Sequence, residues 1–355
     1  MGRFHQKESR EGEVDMENTK ETDFLIVGQG LAGTLLSFEL MQNGYSVHII
    51  DNNHFESSTK VAAGLINPIT GRRFVKSEQI DVLLPAARQM YQQLENFLGI
   101  PLWIDRKIKW ALSGIKEEND WNARAATDAY AVFMNFSEAD GELLEKTRDF
   151  DAFGTVQLAA QVNISAMVEA YAQKMIAEGN LSREKFDYEL LSLHKDDHVI
   201  YKNYKAGKIV FCEGEKGRFN PYFKNYPFFV AKGEVLILKI PELGSGDILK
   251  SQVTFCPLGD DLYWSGSNFE WHPKYALPTQ NFRENFTREI QQILRIPFEI
   301  VEHRAAIRPA VSDRRPIAGF HPDFPLIGIF NGLGSKGTSL GPWWAKQFVQ
   351  NLSGR

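Results

Sequence analysis

The sequence predicts an α/β fold: a Rossmann-type nucleotide-binding domain on a parallel sheet, joined to a second, α+β substrate domain with an antiparallel sheet. Three observations carry this prediction. Asp23–Val27 is a short apolar run suited to a buried parallel strand, and it enters Gly28-Gln29-Gly30-Leu31-Ala32-Gly33 and then a helix pattern. A second apolar run, Val47–Ile50, ends at Asp51, 23 residues after Gly28. Far along the chain the strand-like run Pro325–Phe330 again leads into glycines, at Gly332-Leu333-Gly334-Ser335-Lys336-Gly337, while long strand patterns at Val230–Ile240 and Asp261–Ser265 lie between.

Each element of the first unit has a physical reason. Gly28 permits a tight turn, Gly30 lets the backbone approach a pyrophosphate, and Gly33 lets helix and sheet pack closely. Leu31 and Ala32 lie at the helix start, where free N–H groups face phosphates. Leu35, Leu36, Phe38, Leu40 and Met41 continue the helix, with Gly44 as its C-cap. Asp51, followed by Asn52, places a carboxylate where ribose hydroxyls would donate to it. Residues 55–76 are polar and glycine-broken, and a long helix pattern spans Glu78 to Leu98. Residues 100–115 and 129–158 read as strands and turns, Ile164–Ile176 as a helix, and Lys208–Cys212 as a strand. Residues 279–295 read as a helix, and a last helix starts near Ser339. A βαβ unit needs further parallel strands, and Lys208–Cys212 and Pro325–Phe330 are the candidates. The expected partition is therefore 23–99, 155–222 and 304–352 in the nucleotide domain, with 100–154 and 223–303 in the substrate domain.

Composition narrows the function classes. The 355 residues carry a formal charge of -5, which argues against a broad basic surface for double-stranded nucleic acid. Two cysteines, Cys212 and Cys256, have neither disulfide-framework nor metal-ligand spacing, so no metal site is expected and a reducing, cytoplasmic setting fits. Residues 1–22 hold ten charges and few apolar side chains, and read as a flexible tail. No apolar run is long enough for a transmembrane segment, and the start lacks the apolar core of a secretory signal.

The glycine fingerprint alone does not separate FAD from NAD. Several further segments resemble the FAD-dependent amino acid and amine oxidoreductases of the D-amino acid oxidase superfamily, which includes glycine oxidase, sarcosine oxidase and the oxidase domain of a bifunctional tRNA wobble-uridine enzyme. The segment 57–64, with Ser58, Thr59, Ala63 and Gly64, is similar to the run that wraps the pyrophosphate and flavin. Ile209–Gly214 resembles the strand ending in Ala-Gly, and Gly233-Glu234-Val235 the opening of a substrate-domain strand. Arg308-Pro309 with Asp313, Pro316 and Gly319 resembles an Arg-Pro segment of the family, and Gly332, Gly334, Ser335, Lys336, Gly337 and Thr338 its closing flavin loop. The resemblance implies FAD as cofactor, with Val162 and Gly214 among the residues around it. It also implies an activity: oxidation of a C–N bond of an amino acid or secondary amine to an imine, with oxygen or a quinone as electron acceptor.

In such chemistry the flavin takes the hydride and the protein positions the substrate. No Ser-His-Asp or Cys-His pattern suggests a nucleophile. The resemblance makes Arg308 the catalytic-site anchor for a substrate carboxylate, a task that suits a planar, bidentate guanidinium. An ion pair with Asp313 is the competing reading. Leu333 and Ser335 stand where glycine oxidase has His and Arg, so a second loop arginine is missing and glycine itself is a doubtful substrate. Those two residues match the tRNA-modifying oxidase, which keeps a carboxymethylaminomethyl-type tRNA uridine as an alternative substrate. A non-catalytic flavin-binding protein is the third reading. Lys336 faces phosphate, flavin or solvent, and the roles of Arg72, Arg73 and Lys232 stay open.

Overall fold

In the computed structural model the described residues are 19–53, 57–194, 197–244 and 246–353. Along the chain come β1 (Lys20–Val27), α1 (Leu31–Gln42), β2 (Val47–Asp51), α2 (Ile80–Leu98), β3 (Trp103–Leu112), β4 (Ala152–Val162), α3 (Ile164–Ala177), β5 (Leu181–Arg183) and β6 (Tyr204–Phe211). There follow β7 (Ala231–Lys239), β8 (Ile248–Lys250), β9 (Thr254–Gly259), β10 (Leu262–Gly266), α4 (Gln280–Ile293), β11 (Glu299–Arg308), β12 (Ile317–Phe320), β13 (Ile327–Asn331) and α5 (Gly337–Ser353).

The first sheet has the order β12-β13-β6-β1-β2-β5. Neighbours from β13 to β5 are parallel, and β12 is antiparallel to β13. The carboxyl ends of β13, β6, β1 and β2 therefore share one edge, with the chain order reversing on either side of β1, where open α/β sheets bind ligands. Helix α1 is buried nearly all round, through Leu35, Leu36, Phe38 and Leu40, because α5 and α3 pack against it and Phe97 of α2 meets Phe38.

The second sheet runs β11-β7-β10-β9-β8-β3-β4, antiparallel except where β8 lies parallel to β3. Its outer face is covered by α4, whose Phe282, Phe286 and Ile290 pack with Leu236, Leu238 and Phe255. Its inner face turns to the first sheet's helical layer, sharing a core through Ile108, Trp110, Ile248 and Cys256.

Several expectations are corrected. Residues 1–18 of the expected tail lie outside the described residues, but Lys20–Thr22 belong to β1, in register with Tyr204–Ala206. A strand's backbone ladder continues through polar residues, so composition alone placed its start too late. The same continuity moves two expected domain boundaries. The expected nucleotide domain takes in residues 155–162 and 304–308, which instead complete β4 and β11 of the second sheet. The stretch 129–158 also holds a short helix, Gly141–Lys146, capped by Asp140, whose side chain accepts from Leu143 N–H. No helix among the described residues is long and apolar enough to cross a membrane.

Candidate functional site

At the switch point the backbone does most of the work. Gly28 has φ +99°, and a Cβ there would lie 2.5 Å from the Cys212 carbonyl oxygen, while one on Gly33 would lie 1.8 Å from the Gly28 oxygen. Both positions therefore demand glycine. Helix α1 starts at Gly30 with no side-chain cap and no acid in its first turn. The Leu31 N–H donates to Thr59 Oγ1 at 3.0 Å, which ties the short helix Ser58–Val61 to the helix start. The N–H groups of Ala32 and Gly33 follow at the same uncapped end, a positive terminus suited to phosphate.

Asp51 closes this crevice. Its Oδ2 accepts from Gln29 N–H at 2.9 Å, and its Oδ1 from Asn53 N–H at 2.7 Å and Arg183 at 2.7 Å. Arg183, which no local motif signals, balances the carboxylate's charge. Asn52 is exposed beside it. Gly64 and Val162 meet backbone to backbone, with Val162 N–H donating to Gly64 O at 2.9 Å. Val162 thus lies at the end of a second-sheet strand and reaches the crevice through the 57–64 segment. Gly214 follows β6, and its carbonyl accepts from Asn331 Nδ2 at 2.9 Å, which links it to the closing loop. In that loop Gly332 and Gly334 have positive φ, Ser335 and Lys336 are exposed, and Gly337 and Thr338 begin α5. Gly334 N–H donates to Pro309 O at 3.1 Å, so the loop is held beside Arg308. Lys336 Nζ donates to Ser77 Oγ at 3.3 Å.

Arg308 ends β11, opposite Ala231 of β7. Its guanidinium lies flat on Gly233, where an added Cβ would be 2.0 Å from Nη2. Nη2 donates to Ser267 Oγ at 2.6 Å, Nη1 donates to the Asn268 carbonyl at 3.2 Å, and Phe269 stacks over the group at 4.3 Å. Among the described residues no carboxylate pairs with it. Burial pulls its pKa down to about 10, the mark of a cation stripped of water without an anion in exchange. The ion pair with Asp313 is therefore not formed; Asp313 Oδ1 instead accepts from Arg315 N–H. Ser267, Asn268 and Phe269 carried no local signal, because the residue they serve is far away in sequence. Arg304 pairs with Glu302 at the surface, and Arg72 and Arg73 are exposed. Cys212 and Cys256 are buried free thiols, Cys256 pushed up to about 12 by burial.

The inner face of the second sheet reaches the 57–64 segment directly. Trp264 Nε1 donates to Val61 O at 2.8 Å, and Gln161 Nε2 donates to Ala63 O at 3.3 Å. The crevice, the 57–64 segment, the closing loop and Arg308 form one continuous region. The residues present fit a dinucleotide with its reactive ring between the two sheets: an uncapped helix start for the pyrophosphate, an acid at the β2 end, and a glycine loop beside Arg308.

Comparison with known proteins agrees with this geometry. Residues 23–350 match the family model described as FAD dependent oxidoreductase. Among solved structures, glycine oxidase from Geobacillus kaustophilus superposes with a TM-score of 0.77 at 18% identity, over 94% of this chain and 95% of that one. Iminodiacetate oxidase from Chelativorans sp. BNC1 gives 0.74 at 20% identity, over 94% and 95%. L-alpha-glycerophosphate oxidase from Mycoplasma pneumoniae, solved with FAD bound, gives 0.73 at 14% identity, over 95% and 96%. At such identities the likeness concerns the fold, and that fold accommodates substrates of different chemistry.

Proposed function

The chain belongs to the FAD-dependent oxidoreductase family and binds FAD, and on that premise we propose that it oxidises a C–N bond of a carboxylate-bearing amino acid or secondary amine to an imine, which water then hydrolyses. The observation that carries this reading is Arg308, a half-buried guanidinium satisfied only by neutral oxygens and seated on Gly233 beside the closing loop. Bound flavin supplies a hydride acceptor. Arg308 supplies a fixed bidentate partner for a carboxylate, and so orients the adjacent carbon. The reaction requires the substrate nitrogen to be neutral, with its proton already given up to solvent. The nitrogen lone pair can then form the new C=N bond as the hydride leaves carbon. Phe269 covers one side of the guanidinium.

The reading is tested by mixing anaerobic oxidised protein with D-amino acids, N-alkyl glycines, simple amines, 2-hydroxy acids and carboxymethylaminomethyl-uridine tRNA, and following the flavin's visible band. Bleaching by an amine or amino acid is the expected outcome. Bleaching only by 2-hydroxy acids would overturn the assignment, bleaching only by the tRNA would replace the substrate, and silence throughout would favour a non-catalytic flavin protein. Reoxidation of the bleached protein by air or only by a quinone identifies the acceptor.

A further inference from the structure

The inner face of the second sheet carries a second half-buried cation. The register fixes its side. Ala231, Gly233 and Val235 alternate onto the face where Arg308 lies. Val235 is opposite Gly266, Gly266 opposite Thr254, Thr254 opposite Lys250, and Lys250 opposite Trp110. Directly opposed residues share a face, so Lys250 and Arg308 lie on the same face of the sheet.

Lys250 has few attachments there. Its Nζ donates to Thr254 Oγ1 at 3.0 Å and sits 5.0 Å from the centre of the Trp110 ring. Among the described residues no carboxylate pairs with it, and burial lowers its pKa. Its side chain is not sealed off, being of intermediate exposure. Nearby Arg106 is different: it donates to Gln161 Oε1 at 3.1 Å and to the Gly246 carbonyl at 2.5 Å, and Asp247 faces it. Arg106 is therefore satisfied within the fold, while Lys250 retains donors and an uncompensated charge. An ammonium that has lost water without gaining an anion is unfavourable until a ligand supplies one.

We propose that Lys250 binds a second anionic group of the substrate, so that the preferred substrate is an amino acid or secondary amine with another acidic group beyond an apolar spacer. The inference rests on the reading of Arg308 as a carboxylate anchor. Between the two cations Trp264, half-buried, lies over Gly266 and keeps an apolar surface, which suits methylenes. Three strand spacings separate Gly233 from Lys250, roughly 14 Å across the sheet. The lysine arm, turned toward Thr254, and two hydrogen-bond lengths reduce this to roughly 6–10 Å between the acids. That excludes pairs of acids on one or two carbons and favours longer spacers.

The test uses oxidised holoprotein and unreactive ligands. Linear α,ω-dicarboxylates of three to nine carbons (roughly 6–10 Å at the longer end) are titrated beside monocarboxylates of equal length, following perturbation of the flavin spectrum. The expected result is an optimum length at which the diacid binds at least about tenfold more tightly than its monoacid, about 1.4 kcal/mol. Lys250→Met abolishes that ratio and Lys250→Arg preserves most of it. Equal binding of the two series at every length, or a ratio that survives in Lys250→Met, overturns the proposal. Should Lys250→Met lose flavin, Lys250→Gln takes its place under the same criteria. Monoacids report on Arg308 alone: if they fail to bind, the anchor reading fails and the inference falls with it, whereas normal monoacid binding without a diacid advantage refutes Lys250 only.

Discussion

The two faces of β7 treat charge in opposite ways. Toward α4, Lys232 and Glu234 are almost wholly buried and fully paired. Lys232 bonds to Glu234 at 3.2 Å and Glu270 at 2.6 Å. Glu234 also accepts from His303 at 3.0 Å and from the N–H and hydroxyl of Thr279 at 2.6 and 2.9 Å. Burial works against the Lys232 charge, but the two carboxylates outweigh it and hold its pKa above the ordinary lysine range. One residue along the strand, Gly233 points the other way, and there Arg308 and Lys250 meet only neutral oxygens and rings. On those two cations burial wins and lowers the pKa. Paired charge holds α4 and the 268–279 loop in place. Unpaired charge costs stability, and persists where a ligand completes it.

The largest expected effect tests the paired face. Glu234→Ala leaves Lys232, His303 and the Thr279 cap without their common acceptor, and breaking such a buried pair typically costs about 3–5 kcal/mol. A thermal or urea melt of the FAD-loaded protein should show a loss of that size. A change under about 1 kcal/mol would mean that the network only decorates the fold.

The unpaired face should respond the other way. Arg308→Met should leave stability nearly unchanged or raise it, because it removes a desolvated charge. The same change should weaken reduction by a carboxylate substrate by about 2–5 kcal/mol, roughly 30-fold to several thousand-fold. Gly233→Ala reaches the same end without touching the arginine, since its methyl would occupy the guanidinium's seat. Flavin content and rapid-mixing kinetics check both variants. If Gly233→Ala reduces as fast as the parent, the seat is dispensable.

The nucleotide half was legible in the sequence because its requirements are local. Gly28, Gly30, Gly33 and Asp51 lie in one short stretch, and each answers a steric or hydrogen-bonding need of that stretch alone. What sequence missed there was non-local: Arg183 against Asp51, and Lys20–Thr22 recruited to β1 by β6. The substrate face was much less legible. Arg308 could be named through resemblance, but Gly233, Ser267 and Asn268 become its partners only through pairing of strands far apart in the chain. Lys250 stands in no motif of the sequence. Its face follows from four strand registers in succession, and a slip of one residue in any of them would turn it to the outer side.

A smaller effect belongs to the crevice, where charge is paired yet still near a ligand. Asp51→Ala removes a charge-assisted acceptor, and with it the organisation of Gln29, Asn53 and Arg183. FAD affinity should weaken by roughly 1.5–3 kcal/mol, and Asp51→Asn should recover part of the loss. Calorimetric titration of apoprotein decides this, and unchanged affinity would move the ribose contact to another residue.

The smallest expected effect is a pH dependence on the paired face. His303 is opposed by burial first, then by Arg283 and Lys232, while Glu234 favours its protonation; the balance lowers its pKa. A histidine whose folded pKa is depressed binds fewer protons folded than unfolded just below its ordinary value of about 6.5. Its contribution to stability is therefore full above that value and declines as pH falls through the folded pKa. Other groups titrate in the same range, so the informative quantity is the difference between the parent and His303→Gln, which keeps a donor for Glu234 but cannot charge. Near neutral pH the parent should be the more stable, because imidazole also stacks on Phe282 with centroids 5.5 Å apart. On acidification toward pH 5 the gap in melting temperature should narrow, since only the parent must bury a new positive charge beside Lys232 and Arg283. A gap that widens in acid would show that Glu234 outweighs burial at His303. The outer face would then gain strength from each added proton, and its balance of charge would rest on the carboxylate alone.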